Sequence, residues 1–403
     1  DYLYISKMYY LIFLSEVQQK IEESNGTRHL GQTRRILNGR DIHDTRPYMV
    51  YLRPATNAVP KAAETNWLCG GAIIHERYIL TSAACIEDVK QFYVVSGTHR
   101  WVPASERSDD CINHGSKKAI WKCVPKSYFY DGDDFDNIRW MVGDIAVVKV
   151  EDDFNFEKRV RGCDFIPKKI GFNNQSIEFE KAGTTASVAG WGSNEKFGDG
   201  MARSTINSPI LKEADVAVIS TRNCKKRWDP RYHFVIDGHM ICTKDSTEDE
   251  AMSAACLDEV NCKELNYSDE DDGDETMVRR VFDPAKLIVH GAGHMDGRRT
   301  KLTSGGFCEN DHGGPLVYGQ GKSAMVVGVM SACQTRDVTQ MCYGPFLFTS
   351  VYRNRVLINC AINKDIGRTC RRLLKSTKTQ MSETKFNWTN HPDGAAKQSA
   401  PQT

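Results

Sequence analysis

Residues 69–85 read CGGAIIHERYILTSAAC, a stretch that places a glycine pair and short apolar runs between two cysteines. Short apolar runs recur along the chain, separated by Gly, Pro, Asn and Asp, at residues 48–52, 78–80, 92–95, 145–150 and 324–329. Many such runs with turn signals between them are typical of an all-β barrel or sandwich. Helix-length amphipathic patterns are scarce before residues 352–375. We therefore predict an all-β fold from about residue 36 to residue 351, followed by a C-terminal helix.

Composition excludes several classes of protein. The chain has 403 residues, and its 53 Lys and Arg against 52 Asp and Glu give a formal net charge of +1. That balance supplies no bulk charge for binding nucleic acid or an anionic membrane, so we expect neither as a partner. A hydrophobic fraction of 40% with 26% charged residues is typical of a globular protein. No apolar run approaches the roughly 18 residues that span a bilayer.

The 14 cysteines lie between Cys69 and Cys370, and none of them form a Cys-x-x-Cys motif. Cytosolic chains usually keep thiols few, reduced or metal-bound, whereas secreted chains join them as disulfides. The cysteines therefore indicate a secreted, extracellular protein with a disulfide framework. Asn-x-Ser/Thr motifs fit the same route and give four glycosylation candidates: Asn25, Asn174, Asn266 and Asn387.

The chain divides into three parts by composition. Residues 1–35 read as a propeptide-like segment ending in a basic cleavage signal, and their apolar start fits either a signal-peptide stump or a frayed segment. Residues 36–365 are the main domain, with insertions expected at about 103–139 and 243–305. The second insertion carries an acidic run at 268–275, which fits a solvated loop or a site for calcium or a basic partner. Residues 366–403 form a polar C-terminal tail, and residues 376–403 of this tail are predicted to be disordered.

Five motifs follow one another in a fixed order. They are Arg35-Ile36-Leu37-Asn38-Gly39, the stretch 69–85, Gly143-Asp144-Ile145-Ala146-Val147, Ala189-Gly190-Trp191-Gly192, and CENDHGGPL at 308–316. Each motif alone is weak, but together they resemble the chymotrypsin/trypsin-like serine proteases (peptidase family S1) over roughly residues 36–360. The resemblance implies two antiparallel six-stranded β-barrels, at about 36–165 and 175–350, with the active site in the cleft between them.

The resemblance also locates the catalytic positions. In the family a serine hydroxyl attacks, a histidine takes its proton, and a buried aspartate fixes the histidine tautomer. Here the base position is Ala84, the carboxylate position is Asp144 and the nucleophile position is His312. Loss of the Ser–His pair costs about 10⁶ in kcat in comparable proteases. We therefore predict that none of these residues is competent and that the chain is a trypsin-fold pseudoenzyme.

Other family positions have changed or survive. Asn310 replaces the oxyanion-hole glycine, and Gly306 lies at the floor of the S1 substrate pocket. Cleavage after Arg35 by a trypsin-like protease would create a new N-terminus at Ile36, which the resemblance pairs with Asp311, as in activation of a zymogen. Both a working switch and an inherited remnant fit these residues.

Two hypotheses concern Asp144, which has lost its imidazole partner. His312 moves into the space beside Ala84 and pairs with Asp144, or other donors hold the carboxylate; without donors its pKa should rise. We expect no metal and no cofactor, because His312 and Asp144 alone make no cage. His290 and His294 are expected to be surface residues.

The resemblance implies three disulfides, Cys69–Cys85, Cys224–Cys242 and Cys308–Cys333. Within the insertions, Cys111–Cys123 and Cys256–Cys262 are plausible further bridges. Four cysteines have no assigned partner, and Cys163–Cys360 is one possible pair among them; the other two are Cys342 and Cys370.

The leading hypothesis for function is a secreted serine protease homologue that binds or regulates an extracellular protein without cleaving it. The partner class is a protease, an inhibitor or another component of a proteolytic cascade. Two alternatives remain. One is a serine-type endopeptidase with residual or non-standard activity, and the other is a structural component of an extracellular material or secretion.

Overall fold

The computed structural model describes residues 40–42, 46–55, 69–87, 89–102, 106, 108–128, 142–192, 207–244, 307, 311–335, 342–363, 370 and 381–391. All of them lie in the unit Arg35–Thr403, and the description below concerns that unit.

Six antiparallel strands close into a first barrel. Their order around the barrel is β6-β5-β2-β3-β4-β7, and β7 pairs back onto β6 to complete the ring. Closure removes the exposed edges that a flat sheet of this size would leave. The strands are β2 (Met49–Pro54), β3 (Cys69–His75), β4 (Tyr78–Thr81), β5 (Phe92–Val95), β6 (Lys117–Pro125) and β7 (Ala146–Val150).

A second barrel has the same closed construction. Its ring runs β9-β10-β11-β14-β13-β12 and closes through the β12–β9 pairing, again with every neighbour antiparallel. The strands are β9 (Thr185–Gly190), β10 (Lys212–Ile219), β11 (Met240–Lys244), β12 (Pro315–Tyr318), β13 (Met325–Thr335) and β14 (Cys342–Ser350). Outside the ring, β1 (Arg40–Asp41) pairs with β10 and β8 (Gly171–Phe172) pairs in parallel with β13. The predicted fold of two six-stranded antiparallel barrels is confirmed.

Alternation along the strands divides the apolar residues between two packing layers. In β2, Val50 and Leu52 belong to one buried cluster, while Met49 and Tyr51 belong to another that also contains Trp191 of the second barrel. The Tyr51 and Trp191 rings meet edge to face, with centroids 5.3 Å apart. Because side chains point to opposite faces at successive positions, one strand supplies both the barrel interior and the contact between barrels.

Four short helices complete the described fold: α1 (Asp110–Gly115), α2 (Thr221–Lys225), α3 (His233–His239) and α4 (Arg355–Ile362). Asp109 caps α1 by accepting a hydrogen bond from the Ile112 amide, and Ser220 caps α2 in the same way through Asn223. The predicted C-terminal helix corresponds to α4, which is shorter than the 352–375 pattern and buries Leu357 and Ile358.

Part of the expected insertion at 103–139 is barrel structure. Residues 117–125 form strand β6, which pairs with β5 and β7 and is essential to barrel closure. The sequence does not show the usual alternation of apolar and polar residues along β6, because lysines occupy two of its buried positions, Lys118 and Lys122. Residues 117–125 are therefore not part of an insertion, and residues 129–139, later in the predicted range, lie outside the described residues. Of the second expected insertion, residues 243 and 244 belong to β11, and 245–305 lie outside the described residues.

The prediction of a disordered segment at 376–403 is wrong for residues 381–391. Met381–Lys385 forms strand β15, which pairs antiparallel with β6 from Met381 opposite Pro125 to Lys385 opposite Trp121. Met381 and Trp388 are buried. The strand is polar because Met381 is its one buried residue and the residues from Glu383 to Lys385 are exposed, and this polarity makes the segment resemble a disordered one in the sequence.

Four disulfides join described cysteines. Cys69–Cys85 and Cys224–Cys242 are both among the pairs implied by the family resemblance. The predicted pair Cys111–Cys123 is wrong, because Cys111 on α1 bonds Cys163, with Cα atoms 4.5 Å apart. Cys123 lies in strand β6, six positions and about 20 Å from the start of that strand. It is buried in the cluster that also contains Trp191.

The fourth disulfide, Cys360–Cys370, ties α4 to the residues after it. The pair Cys163–Cys360 that the sequence left possible is therefore excluded. Cys256, Cys262 and Cys308 lie outside the described residues, and so do the predicted pairs that involve them.

Candidate functional site

Asp144 is fully buried and accepts hydrogen bonds at both carboxylate oxygens. Its Oδ1 accepts from the Ser82 hydroxyl at 2.5 Å and from the Ala84 amide at 2.9 Å, and its Oδ2 accepts from the Ser331 hydroxyl at 2.7 Å. Ser82 follows β4 of the first barrel and Ser331 lies in β13 of the second. The carboxylate therefore links the two barrels, as expected for a residue at the cleft of this fold.

The approach to Asp144 is set by Gly143, whose φ of +75° suits glycine. A Cβ at this position would come within 2.8 Å of the Ser127 hydroxyl, so a side chain would require the chain to shift. This turn delivers Asp144 just before β7 begins at Ala146.

Burial raises the pKa of Asp144, while hydrogen bonds from the Ala84 amide and from the Ser82 and Ser331 hydroxyls act in the opposite direction. Desolvation is the larger effect, because the carboxylate has lost water on all sides and faces only neutral donors. Donors other than an imidazole therefore hold the carboxylate of Asp144, and burial nevertheless raises its pKa.

The base position holds no group that can accept a proton. Ala84 is exposed, and its contribution to the site is its backbone amide. Ser82, two positions earlier, stands where the family motif Thr-Ala-Ala-His-Cys has its first alanine. Its hydroxyl donates a hydrogen bond to Asp144 Oδ1. We did not identify Ser82 from the sequence, although its departure from the motif was visible there.

His312 does not pair with Asp144, so that hypothesis is wrong. The carboxylate of Asp144 accepts hydrogen bonds from Ser82, Ala84 and Ser331. The His312 ring instead packs edge to face on Phe307, with centroids 6.1 Å apart, and hydrogen-bonds the backbone of Ser331. Burial lowers the pKa of His312 to about 4, against the smaller raising effect of that hydrogen bond. The imidazole is therefore neutral at pH 7.

The loop that carries His312 joins the two barrels through its backbone. The Gly70 amide of β3 donates to the His312 carbonyl at 2.8 Å, and the Gly313 amide donates to the Met330 carbonyl at 3.0 Å. Gly313 has a φ of +80°, and a Cβ there would lie 2.3 Å from the Thr81 hydroxyl. The two barrels thus approach so closely at Gly313 that only a glycine fits.

Asp311 is also buried, and its Oδ1 accepts a hydrogen bond from the Gly192 amide at 2.8 Å. It occupies the position that the family resemblance assigns to the acceptor of the new N-terminus. Arg35 and Ile36 lie outside the described residues, so the paired half of that prediction is not observed.

Phe307 directly follows Gly306, the predicted pocket floor, in the sequence. It is fully buried, and its ring lies 5.1 Å from that of Phe348 and 5.3 Å from that of Phe346. Gly306 and Asn310, the predicted pocket floor and oxyanion positions, lie outside the described residues. Phe307 was not identified from the sequence, where it appears only as one apolar residue before Cys308.

The chemistry available to the described site is limited. Ser82 and Ser331 are the hydroxyls nearest Asp144, and both are fully buried and donate to the carboxylate, so neither faces a substrate. Among the described residues, no group of three or more His, Cys, Asp or Glu side chains is arranged to hold a metal ion. His290 and His294 lie outside this part of the chain.

The described helices include none with the length and apolar character needed to cross a membrane.

Comparison with known proteins places this architecture. The Trypsin family model matches residues 40–255, more than half of the chain. A chymotrypsin from Phaedon cochleariae is 30% identical over 191 residues, covering 47% of this chain and 57% of the relative. Serine protease grass from Drosophila melanogaster is 28% identical over 207 residues, covering 49% of this chain and 48% of the relative.

A third relative, venom serine protease 34 from Apis mellifera, is 29% identical over 175 residues, covering 43% of this chain and 38% of the relative. The chain thus spans about half the length of the curated relatives it matches. The family match ends before His312, so the position of that residue rests on its contacts with Ser331 and Gly70. With a family model matching more than half of its residues, the chain belongs to the trypsin family of serine proteases.

Proposed function

We propose that this chain is a secreted, non-catalytic member of the trypsin family that binds or regulates an extracellular protein instead of cleaving peptides. The observation that carries the proposal is the bonding of Asp144. Its carboxylate is occupied by Ser82, Ala84 and Ser331, and the base position beside it is an alanine methyl group. A catalytic aspartate must orient an imidazole, and this one orients none.

The nucleophile position supports the same proposal. His312 packs on Phe307 and is bonded to the Ser331 backbone. A neutral imidazole in that place is not a hydroxyl nucleophile, and Ser82 and Ser331 are buried against the carboxylate. Removal of the Ser–His pair in comparable proteases leaves only about 10³–10⁴ over the uncatalysed rate.

Secretion is part of the proposal. The four disulfides among described cysteines support an oxidising compartment, where such bonds persist. The extracellular partner we propose is a protease, an inhibitor or another component of a proteolytic cascade, contacted through a surface that cleavage after Arg35 alters.

The segment next to the cleavage site is anchored in a way that favours such a switch. Arg40 pairs with Glu213 on β10, which pairs with Ala189 on β9, so Arg40 lies two strand spacings, about 10 Å, from β9. Gly192 follows β9 and binds Asp311. The four residue steps from Ile36 to Arg40 can span about 14 Å, which exceeds the separation between Arg40 and β9 and supports an approach of the new terminus to the end of that strand.

Anchoring continues at Arg46. Its guanidinium donates to Glu213 at 2.9 Å, to Tyr48 at 2.7 Å and to Ser187 at 2.8 Å. These bonds fix the chain to the second barrel, so a new N-terminus at Ile36 would pivot on β1 without disturbing the first barrel.

The test of inactivity is a fluorogenic peptide and ester panel applied to the protein before and after cleavage at Arg35. We expect no turnover from either form. A matched variant, Ser82→Ala with Ala84→His and His312→Ser, rebuilds the family triad and should gain measurable turnover if the remaining site is intact. Turnover by the unaltered chain that His312→Ala abolishes would overturn the proposal.

Binding is tested by using the cleaved and uncleaved forms as baits in extracellular fluid, with Asp311→Asn as the control that cannot hold the new terminus by charge. A saturable partner retained by the cleaved form and lost in Asp311→Asn supports regulation by the switch. Equal retention by all three forms would contradict it.

A further inference from the structure

Residues 381–391, which we name the C-terminal strap, lie along the first barrel and end in a turn that contains one of the four glycosylation motifs. Strand β15 begins the strap by pairing with β6 over five residue positions. The Trp121 indole of β6 donates to Glu383 at 2.9 Å, which adds a side-chain bond to the strand pairing.

Two aromatic side chains fix the end of the strap to the barrel. The Trp388 indole is buried and donates to the Ala119 carbonyl at 2.7 Å. Phe386 packs edge to face on Phe92, with centroids 5.1 Å apart, and its amide donates to the Ile120 carbonyl at 3.1 Å.

Buried lysines lie under these rings. The Lys118 ammonium is 5.4 Å from the Trp388 ring centroid, and the Lys122 ammonium is 6.0 Å from that of Phe386. Such cation–π contacts are strongest when desolvated, so the strap shields charges that would otherwise need water.

Asn387 lies between the two anchors and points the other way. Because side chains alternate along an extended segment, Phe386 and Trp388 face the barrel while Asn387 is exposed. Its backbone carbonyl accepts a hydrogen bond from the Gln91 side chain at 2.8 Å. Its Oδ1 accepts from the Thr389 amide at 2.9 Å, an Asx turn within the Asn-Trp-Thr motif. The Thr389 hydroxyl is exposed beside it.

A cleft of about 260 Å³ opens at this turn, lined by Gln91, Asn387, Asn390 and His391. His391 forms its base by packing edge to face on Trp388, with centroids 5.2 Å apart. The cleft is smaller than the roughly 300–1,000 Å³ of sites for drug-sized ligands. Its amide and imidazole groups suit the hydroxyls of one sugar ring stacked near the turn.

We propose that Asn387 is N-glycosylated, that the first sugar of the glycan lies in this cleft, and that the glycan holds the C-terminal strap on the first barrel. The proposal rests on the secretion included in the proposed function. The Asn387 amide nitrogen would form a bond to C1 of an oligosaccharide supplied as a lipid-linked diphosphate. The C1–O bond to the diphosphate breaks, the lipid diphosphate leaves with the bonding pair, and the amide proton passes to a base of the transferase.

Asn174 provides a matched comparison within the same chain. It is exposed, but the Asx-type bonds of its segment are made by the preceding Asn173, whose Oδ1 accepts from the Gln175 and Ser176 amides. The Ser176 hydroxyl caps the following 3₁₀ turn by accepting from the Glu178 amide at 3.1 Å. The motif at Asn174 therefore lacks the arrangement present at Asn387.

The site is tested by secreting the full chain from insect cells behind a heterologous leader and mapping glycopeptides by mass spectrometry. We expect a glycan on Asn387 that disappears in Asn387→Gln and in Thr389→Ala but persists in Thr389→Ser and Asn174→Gln. Secreted, disulfide-bonded protein with unmodified Asn387 would overturn this proposal and leave the proposed function intact. Intracellular retention with reduced cysteines would overturn both.

The role of the glycan in holding the strap is tested by hydrogen exchange and by limited trypsin cleavage after Lys385. Thr389→Ala should exchange faster than Thr389→Ser in the 381–391 peptide, and the enzymatically deglycosylated protein should match Thr389→Ala. Cleavage after Lys385 should accelerate severalfold in the same two samples. Equal exchange and equal cleavage in Thr389→Ala and Thr389→Ser, with the glycan present only in the latter, would overturn this part.

Discussion

The Ser82 hydroxyl donates to Asp144 Oδ1 at 2.5 Å from a position two residues before Ala84. In a trypsin-family site the aspartate keeps an imidazole in place, and removing that imidazole alone leaves the buried carboxylate with one donor fewer. Ser82 fills this deficit from the same short segment that lost the histidine. The carboxylate is thereby retained as a structural link between barrels, because Ser331 of the second barrel binds its other oxygen.

Ser82→Ala should destabilise the protein. The substitution removes one donor from a fully buried carboxylate, and an unsatisfied buried group of this kind costs about 1–3 kcal/mol, more when charged. Urea unfolding followed by tryptophan fluorescence measures the loss. Ser323→Ala is a suitable control, because that hydroxyl also donates one hydrogen bond but is exposed. Equal free energies of unfolding for the two variants would contradict the structural role of Ser82.

His312 should make the protein less stable in acid. Its pKa in the folded state is depressed to about 4, so it contributes stability above its ordinary value near 6.5. That contribution is lost as the pH falls from about 6.5 through 4, and by the size of the shift it amounts to at most about 3 kcal/mol. His312→Gln should flatten the stability profile in this window.

Two other groups affect the same measurement. Burial and the neighbouring Arg353 lower the pKa of His239, which acts in the same direction, so His239→Gln is a necessary comparison. The raised pKa of Asp144 acts oppositely, with stability lost as the pH rises above its ordinary value near 3.8. If the free energies of unfolding of His312→Gln and of the unaltered chain changed in parallel between pH 4 and 6.5, the assignment of His312 as a buried neutral imidazole would be contradicted.

Removal of the Cys111–Cys163 disulfide should cost more stability than removal of Cys360–Cys370. The two bonds close loops of 52 and 10 residues, for which the chain-entropy model gives about 4 and about 3 kcal/mol. Paired Cys→Ala variants compared by thermal and urea unfolding measure the difference. A larger loss from the Cys360–Cys370 variant would show that native-state packing, and not loop length, governs these bonds.

Trp388→Ala should release the C-terminal strap. It removes a buried indole and the hydrogen bond to the Ala119 carbonyl, changes that cost about 3–5 kcal/mol in a well-packed site. The expected signature is fast hydrogen exchange in residues 381–391, together with faster exchange in the β6 edge they cover. Trp388→Phe keeps most of the packing without the hydrogen-bond donor. Its exchange in residues 381–391 should be intermediate between that of the unaltered protein and that of Trp388→Ala. Unchanged exchange in Trp388→Ala would contradict the strap as a packed element.

Local patterns predicted the all-β class, and the five motifs predicted the two barrels through their resemblance to the family. Strand runs such as 92–95 and 145–150 carry their own alternation, and Ala84 and His312 stand inside short motifs that need no tertiary information. The bonding of Asp144 required the fold, since Ser331 reaches it from 187 positions away along the chain.

The wrong predictions share a physical cause. The partner of Cys111 depends on where α1 lies against the turn at Cys163, and spacing along the chain does not encode that placement. The C-terminal strap was missed because a strand with one buried face shows few apolar residues, and its two anchoring rings, Phe386 and Trp388, lie beyond its end.

The close approach at Gly313 has a consequence for how this chain relates to an active enzyme. The loop around His312 packs between Thr81 and Met330. Its backbone conformation is therefore required by the contact between the two barrels, independently of catalysis. Under the proposed function, a chain that does not cleave peptides still has to build the loop at the nucleophile position. Restoring the reaction would then require changes of side chains and not refolding of the site.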